Sequence, residues 1–262
     1  MRPVSMNAAE MLRRGLIELA AAFALLTRLP VHRLRLPRLT VPAEAVWAYP
    51  IVGAAVGAIG GAVYWIAHSL SCPPALAALC ALVAMILATG ALHEDGLADF
   101  ADGLAGDSKE RSLSIMRDHE IGTYGVIALL LSLAMRATAI TLIAEPRAVM
   151  AALIAADAAS RLSAVLIMAA LPPARSDGMS ASVGSPTAGL AAIALGVTFV
   201  IAWLLLPFGV ALLLIVSAGV SAIVLGRVAL TRLGGQTGDV LGASSQICEC
   251  LALIVLVSAT SR

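Results

Sequence analysis

The chain has 262 residues, 60 % of them hydrophobic and 13 % charged, with 17 Lys and Arg against 16 Asp and Glu for a net charge of +1. Soluble domains carry about 25 % charged residues, so this composition, with a mean hydropathy of +0.97, excludes an ordinary soluble globule. Continuous apolar runs of roughly 20 residues exclude a β-barrel, whose strands alternate, and the near-zero charge balance gives no basis for a nucleic-acid partner.

Taken in chain order, the first apolar stretch is Met11–Leu29. Arg13 and Arg14 ahead of "GLIELAAAFALL" loosely resemble a signal peptide, but Arg28 stands where a small-residue cleavage site is needed, so the segment reads as mature protein. Leu12, Leu16, Leu19, Phe23 and Leu26 recur at helical spacing while Arg13, Arg14 and Glu18 lie off that stripe. This pattern predicts a helix lying in the membrane interface.

Seven spans are predicted after it: Ala45–Leu70, Ala75–His93, Thr123–Ala144, Ala148–Leu171, Thr187–Leu206, Phe208–Gly226 and Val240–Ala259. The fold class is therefore an all-α polytopic transmembrane bundle with an N-terminal interfacial helix, organised as one integral-membrane domain over 1–262. Arginines concentrate in alternate connections: Arg28, Arg33, Arg35 and Arg38 first, then Arg111 and Arg117, then Arg175, then Arg227 and Arg232. The intervening connections hold only Arg147, so the positive-inside rule makes the arginine-bearing side cytoplasmic and puts the C-terminus outside. In the first span, Gly53, Gly57 and Gly61 read as a close helix-packing face. Cys72, Cys80, Cys248 and Cys250 have no metal-site spacing and read as small buried hydrophobes.

The stretch "GALHEDGLADFADGLAG" (90–106) breaks the apolar pattern by concentrating Glu94, Asp95, Asp99 and Asp102. If the second span continues past His93, the three aspartates at i, i+4 and i+7 share one arc of a helix. Like charges so placed repel, and a divalent ion removes that cost. Oxygen-only ligands select a hard cation such as Mg²⁺, which also takes substrate phosphate oxygens. Asp95, Asp99 and Asp102 are the expected ligands, with Glu94 flanking them. Acids that merely mark the membrane surface are the plainer alternative.

Later in that connection, "SIMRDHEIGTYG" (114–125) offers Arg117 to phosphate, with Asp118 beside it, although a single arginine there also serves as an interfacial anchor. Arg136, Asp157, Arg161 and Glu249 lie within apolar runs, where an ionisable group must face protein or a water-filled cavity. Asp157 and Arg161, four apart, form either a self-neutralising pair or a phosphate-binding arginine oriented by its aspartate. The glycine-rich "GGQTGD" offers Gly235, Thr237 and Asp239, either as an anion-binding nest with Gly234, Gly235 and Gly238 at positive φ or as a plain connection. Its predicted sidedness sets it opposite the acidic stretch.

Together, "LHEDGLADFADGLAG", "MRDHEIGTYG" and "GGQTGDVLGA", with "LLTRLPV" near the start, resemble the cobalamin synthase family of adenosylcobinamide-GDP ribazoletransferases across the whole chain. His93, Asp95, Gly96, Asp99 and Asp102 match the family's HxDGxxDxxDG core, and Glu94 occupies its variable position. The resemblance implies a Mg²⁺-dependent phosphoryl transfer in the bacterial cytoplasmic (inner) membrane, with the active site facing the cytoplasm. The ribose 5′-hydroxyl of α-ribazole, or of α-ribazole 5′-phosphate, attacks adenosylcobinamide-GDP; GMP leaves and adenosylcobalamin or its 5′-phosphate forms. In that chemistry Asp95 and Asp99 bind metal, and Asp102 is shared between metal and general base. Arg117 and Arg161 hold phosphate, and Gly235, Thr237 and Asp239 hold nucleotide or ribazole. A homo-oligomer and association with other enzymes of the nucleotide-loop pathway stay open at this stage. Two other readings compete: a CDP-alcohol phosphotransferase-like enzyme, whose pattern needs Arg where Asp99 stands, and a cation transporter, whose acids lie nearer mid-membrane.

Overall fold

The computed structural model describes residues 7–34, 42–118 and 120–260. Arg35 and Arg38, counted above for sidedness, lie outside the described residues. The described chain is helical, with no strand beyond one isolated bridge between Pro173 and Gln236. Its helices are α1 (Ala8–Leu26), α2 (Tyr49–Ser69), α3 (Pro74–Thr89), α4 (Leu92–Gly103), α5 (Lys109–Ile115), α6 (Thr123–Ile143), α7 (Pro146–Ala170), α8 (Met179–Val183), α9 (Ala188–Leu205), α10 (Phe208–Leu233) and α11 (Gly238–Thr260).

Local chemistry sets many of the boundaries. Asn7 and Glu10 form a reciprocal capping box on α1, Glu145 accepts from the Ala148 N–H at the start of α7, and Thr187 does the same for Leu190 on α9. Prolines stand in the first turns of α2, α3 and α7, where no N–H is needed. Gly90 and Gly234 end α3 and α10 in the left-handed conformation, which glycine adopts without Cβ strain.

Six helical segments are long and apolar enough to cross a membrane, and α3 with α4 makes a seventh only as a pair bent by 88°. The chain is a multi-pass membrane protein. The deepest helix is α7, with 78 % of its most apolar window buried, followed by α11 with 67 %; α9, at 22 %, faces outward. The glycine face of α2 performs the predicted packing role. A Cβ at Gly53 would overlap the Asp157 carbonyl, one at Gly57 the Leu153 carbonyl and one at Gly61 the Met150 side chain, so α2 and α7 meet backbone to backbone.

Three sequence expectations change here. The second span does not run on to His93: Gly90 (φ +67°) and Ala91 (φ +59°) reverse the chain, and α4 leaves at 88° as a separate helix. With four acids in twelve residues, α4 is no crossing segment itself. The sixth predicted span extends beyond Gly226 to Leu233, so Arg227 and Arg232 belong to α10, and Arg232 donates to the carbonyls of Leu104 (2.8 Å) and Gly106 (2.9 Å). On α1, Leu12 and Leu16 of the apolar stripe point outward, while Glu18, Ala22 and Leu26 are buried. The Glu18 carboxylate explains this facing, accepting from Trp47 Nε1 at 2.6 Å and Arg14 Nε at 2.9 Å, so that α1 docks on the turn Pro42–Ala48. Of the cysteines, Cys248 and Cys250 are buried as expected, but Cys80 is exposed; all four are unbridged.

Candidate active site

The reversal at Gly90–Ala91 lays α4 against the first turns of α11. The two helices cross where neither has a side chain. A Cβ on Gly96 would stand 3.1 Å from the Asp239 Cα and 3.2 Å from the Gly242 Cα. Two glycines from stretches separated by more than a hundred residues thus bring the acidic stretch and the glycine-rich stretch together, as their predicted sidedness requires.

Beside this crossing lies a cavity of about 260 Å³. Leu25 and Leu26 of α1, Tyr49, Leu92, Met168 and Leu241 form its apolar wall. Asp95, Arg161, Arg175 and Asp239 supply its charge, and Gly238, Ser180 and Ser245 complete the polar wall. A mixed pocket of this kind suits a ligand with an apolar ring system and an anionic group.

Asp95, Asp99 and Asp102 do fall at i, i+4 and i+7 of α4, but their carboxylates are used differently. Asp95 is exposed on the cavity wall, whereas Asp99, one turn further along α4, is half-buried and does not line the cavity. Burial, then the charges of Asp95, Asp239 and Asp102, push Asp99 up from 3.8 to about 7, against only Arg175 acting the other way. Asp102 is buried instead and turned to α6: its Oδ2 accepts from the Gly122 N–H at 2.7 Å and its Oδ1 from the Gly125 N–H at 2.9 Å. A Cβ at either glycine would strike that carboxylate. Both oxygens therefore serve the N-terminus of α6, where the charge is favoured by the helix dipole. With both oxygens engaged by α6, this carboxylate does not face the cavity.

Glu94, expected beside the aspartates as an outer ligand, faces the opposite way into the protein. Its Oε1 accepts from Arg136 at 3.3 Å and from Gln246 Nε2 at 3.1 Å, and Arg136 NH1 also donates to Glu249 at 3.2 Å. Arg136 is 1 % exposed and Glu249 2 %. These in-span charges have the protein partners that an apolar setting demands. Asp157 and Arg161 join as the self-neutralising pair, 3.0 Å apart, with Ser160 bridging them. Asp157 stays in this interior cluster, whereas Arg161 and His93 line both the cluster and the cavity. Burial, then Arg161 and Arg136, pushes His93 well below 6.5, so its ring is neutral.

Arg117 and Asp118 do not line the cavity. At the exposed surface, Arg117 makes a bidentate pair with Asp177 at 2.8 and 2.9 Å. Asp118, also exposed, accepts weakly from the Glu120 N–H at 3.4 Å. The glycine-rich turn is likewise not a nest of three left-handed glycines. Only Gly234 has positive φ (+75°). Gly235 packs flat on the Pro172 carbonyl, Gln236 N–H donates to that carbonyl at 2.9 Å, and its own carbonyl accepts from Ala174 at 2.8 Å. Ser180 binds the Gln236 side chain. The turn clamps the 172–180 connection to the cavity rim. Thr237, buried, accepts from the Val240 N–H at 3.3 Å as the cap of α11 and donates to Asp239 Oδ2 at 3.2 Å.

Sequence reasoning missed Arg175, which it counted only for sidedness. Its guanidinium lies 3.8 Å from Asp239 and 4.0 Å from Asp177. No periodicity or motif marks it; only the Pro172–Gln236 clamp carries it to the site.

Among the described residues, no three His, Cys, Asp or Glu side chains converge tightly enough to be a preformed metal site, so the predicted four-ligand set is not assembled. The donor chemistry nonetheless fits a hard cation. Asp95, Asp99 and Asp239 are all carboxylates and act on one another electrostatically, which adds to burial in raising Asp99. A consequence is measurable. Because the folded-state carboxyl of Asp99 sits above its ordinary 3.8, the folded protein holds a proton that the unfolded chain has lost. This contribution favours folding most below 3.8, and it declines as the pH rises toward about 7. In cation-free detergent solution, the difference in Tm between Asp99→Asn and the native chain should therefore widen over that window in the variant's favour. Mg²⁺ should raise the native Tm at the alkaline end and not at the acid end. A difference that is flat with pH contradicts this account.

The arrangement is a cavity in a multi-pass membrane protein, with carboxylates, arginines and an apolar wall around it. Residues 18–257 match the family described as cobalamin-5-phosphate synthase. The chain is 45 % identical to the adenosylcobinamide-GDP ribazoletransferase of Bradyrhizobium diazoefficiens, over 94 % of this chain and 95 % of that protein. It is 42 % identical to the Mesorhizobium japonicum protein of the same name (95 % and 96 % covered) and 40 % to that of Azorhizobium caulinodans (92 % and 95 %). No solved structure matches. The chain belongs to the cobalamin-5-phosphate synthase family.

Proposed function

We propose that this protein is an adenosylcobinamide-GDP ribazoletransferase of the bacterial cytoplasmic membrane, with its cavity open to the cytoplasm. The observation that carries the reading is the meeting of α4 and α11 at Gly96 and Gly242, which gathers Asp95, Asp99 and Asp239 beside a cavity that also holds two arginines. The family match over nearly the whole chain supplies the reaction.

The reaction joins α-ribazole, or its 5′-phosphate, to the cobinamide-side phosphate of adenosylcobinamide-GDP and releases GMP. Arg161 is fixed by Asp157 and Ser160 at the cavity floor, where its charge meets the phosphate groups. The wall of Leu25, Leu26, Tyr49 and Met168 takes the apolar face of the nucleoside base. Asp95, Asp99 and Asp239 would hold Mg²⁺, which when bound neutralises phosphate charge during an in-line displacement. With Asp102 committed to α6, the hydroxyl proton passes to one of the carboxylates that face the cavity, Asp95 or Asp239. Asp102 and Glu94 instead hold α4 in place from its two ends. The arginine-bearing connections support the cytoplasmic orientation.

The test is product formation. Purified protein in liposomes, given adenosylcobinamide-GDP, α-ribazole and Mg²⁺, should release GMP and form adenosylcobalamin, with activity lost on chelation. Turnover of a CDP-alcohol donor, or Mg²⁺ flux with no product, would replace this reading by one of its rivals.

A further inference from the structure

Arg175 is an unusual cation for so polar a place. It makes no hydrogen bond to any described residue, and its NH1 is buried without a partner. The ion pairs nearest to it, with Asp239 Oδ2 at 3.8 Å and Asp177 Oδ1 at 4.0 Å, are both longer than a hydrogen bond. Yet its position is specified on every side. The Pro173–Gln236 bridge pins the backbone just before it. Gly178, at φ +95°, leaves the room it occupies: a Cβ there would stand 3.3 Å from Nε and 3.4 Å from NH2. Asp177, the acid on its outer side, is already held by Arg117 through two bonds. The result is a guanidinium with five donors, carried on a tethered connection and aimed into the cavity from beside its carboxylates.

We infer that Arg175 is a counter-cation of these carboxylates that exchanges partners during the catalytic cycle: it screens Asp239 and Asp99 ahead of a divalent cation, and then turns to the diphosphate of the incoming substrate. This rests on the ribazole-transfer reading above. Two positive charges cannot share one set of carboxylates without mutual repulsion, so entry of the divalent ion displaces the guanidinium from Asp239. With no hydrogen bonds to break, the displacement is easy. A planar fork of donors then finds its best acceptor in a phosphate oxygen pair. Asp177, anchored by Arg117, gives the side chain a second anion to rest against as it swings.

The experiment separates screening from phosphate binding. Full-length protein in detergent, without substrate, is titrated with Mn²⁺ and read by electron paramagnetic resonance. Arg175→Ala and Arg175→Gln should bind Mn²⁺ at least about fivefold more tightly than the native chain, because a competing positive charge is gone. Arg175→Lys keeps the charge and should bind Mn²⁺ as the native chain does. In turnover assays at saturating Mg²⁺, all three variants should raise KM for adenosylcobinamide-GDP while leaving KM for α-ribazole unchanged. Arg175→Ala and Arg175→Gln proteins that bind Mn²⁺ with native or weaker affinity, while still transferring ribazole, overturn this inference and leave the assigned reaction standing. Absence of Mn²⁺ binding in the native chain and all variants overturns the cation reading together with it.

Discussion

Asp95→Asn and Asp99→Asn are each expected to lower turnover by at least about a hundredfold, in protein that still inserts and elutes as the native chain does. Asparagine has the same shape, so packing is kept; what it removes is the negative oxygen needed to hold a hard cation. Neither side chain is hydrogen-bonded to another described residue. Asp95 is exposed to the cavity, and removing the charge of Asp99 relieves repulsion instead of creating it. Steady-state GMP release against Mg²⁺ concentration is the measurement. Near-native activity with an unchanged Mg²⁺ dependence in either variant would falsify the assignment. Asp102→Asn should behave differently, because Gly122 and Gly125 donate to different carboxylate oxygens and the amide NH2 would face one of these N–H donors. Its loss should appear first as a lower Tm, with activity falling only as α4 loosens.

Arg136→Leu is expected to destabilise the protein more than any change at the cavity. The guanidinium is the shared partner of Glu94 and Glu249, all three nearly inaccessible. Removing it strands two carboxylates, and breaking a buried pair in this way costs roughly 3–5 kcal/mol. The signature is rescue: Glu249→Gln combined with Arg136→Leu should recover part of the lost Tm, since a neutral amide no longer needs the counter-charge. Failure of the double variant to exceed the single one would show that Arg136 acts by packing alone. The effect should reach the active site as well. Glu94 adjoins Asp95 at the start of α4, so loss of its anchor lets the acidic face of that helix drift.

Much of this protein is legible in its residues taken in order. The apolar runs gave the spans because burying a helix in hydrocarbon depends on length and composition alone, and α2, α6, α7, α9 and α11 lie close to their predicted bounds. The glycine face of α2 was legible for a similar reason: a small residue every fourth position has one common use in a bundle. The aspartate spacing on α4 held too, since periodicity is local. The run of hydropathy could not show the break at Gly90–Ala91, because an alanine at positive φ has no sequence signal and α3 and α4 together still resemble one span.

The order of residues thus determined the class of the protein, its membrane-crossing helices and its family. The fold in three dimensions decided which surroundings each carboxylate meets. On one helix, Glu94, Asp95, Asp99 and Asp102 look like a single set, but α4 presents them differently: Glu94 to Arg136, Asp102 to the N–H groups of α6, Asp95 to the cavity, and Asp99 half-buried one turn beyond it. The same packing set Arg117 at the surface and moved Arg175 to the cavity. The reason is physical: a charged group's role depends on what lies within a few ångströms of it, and in a bundle those neighbours come from helices far away in the chain.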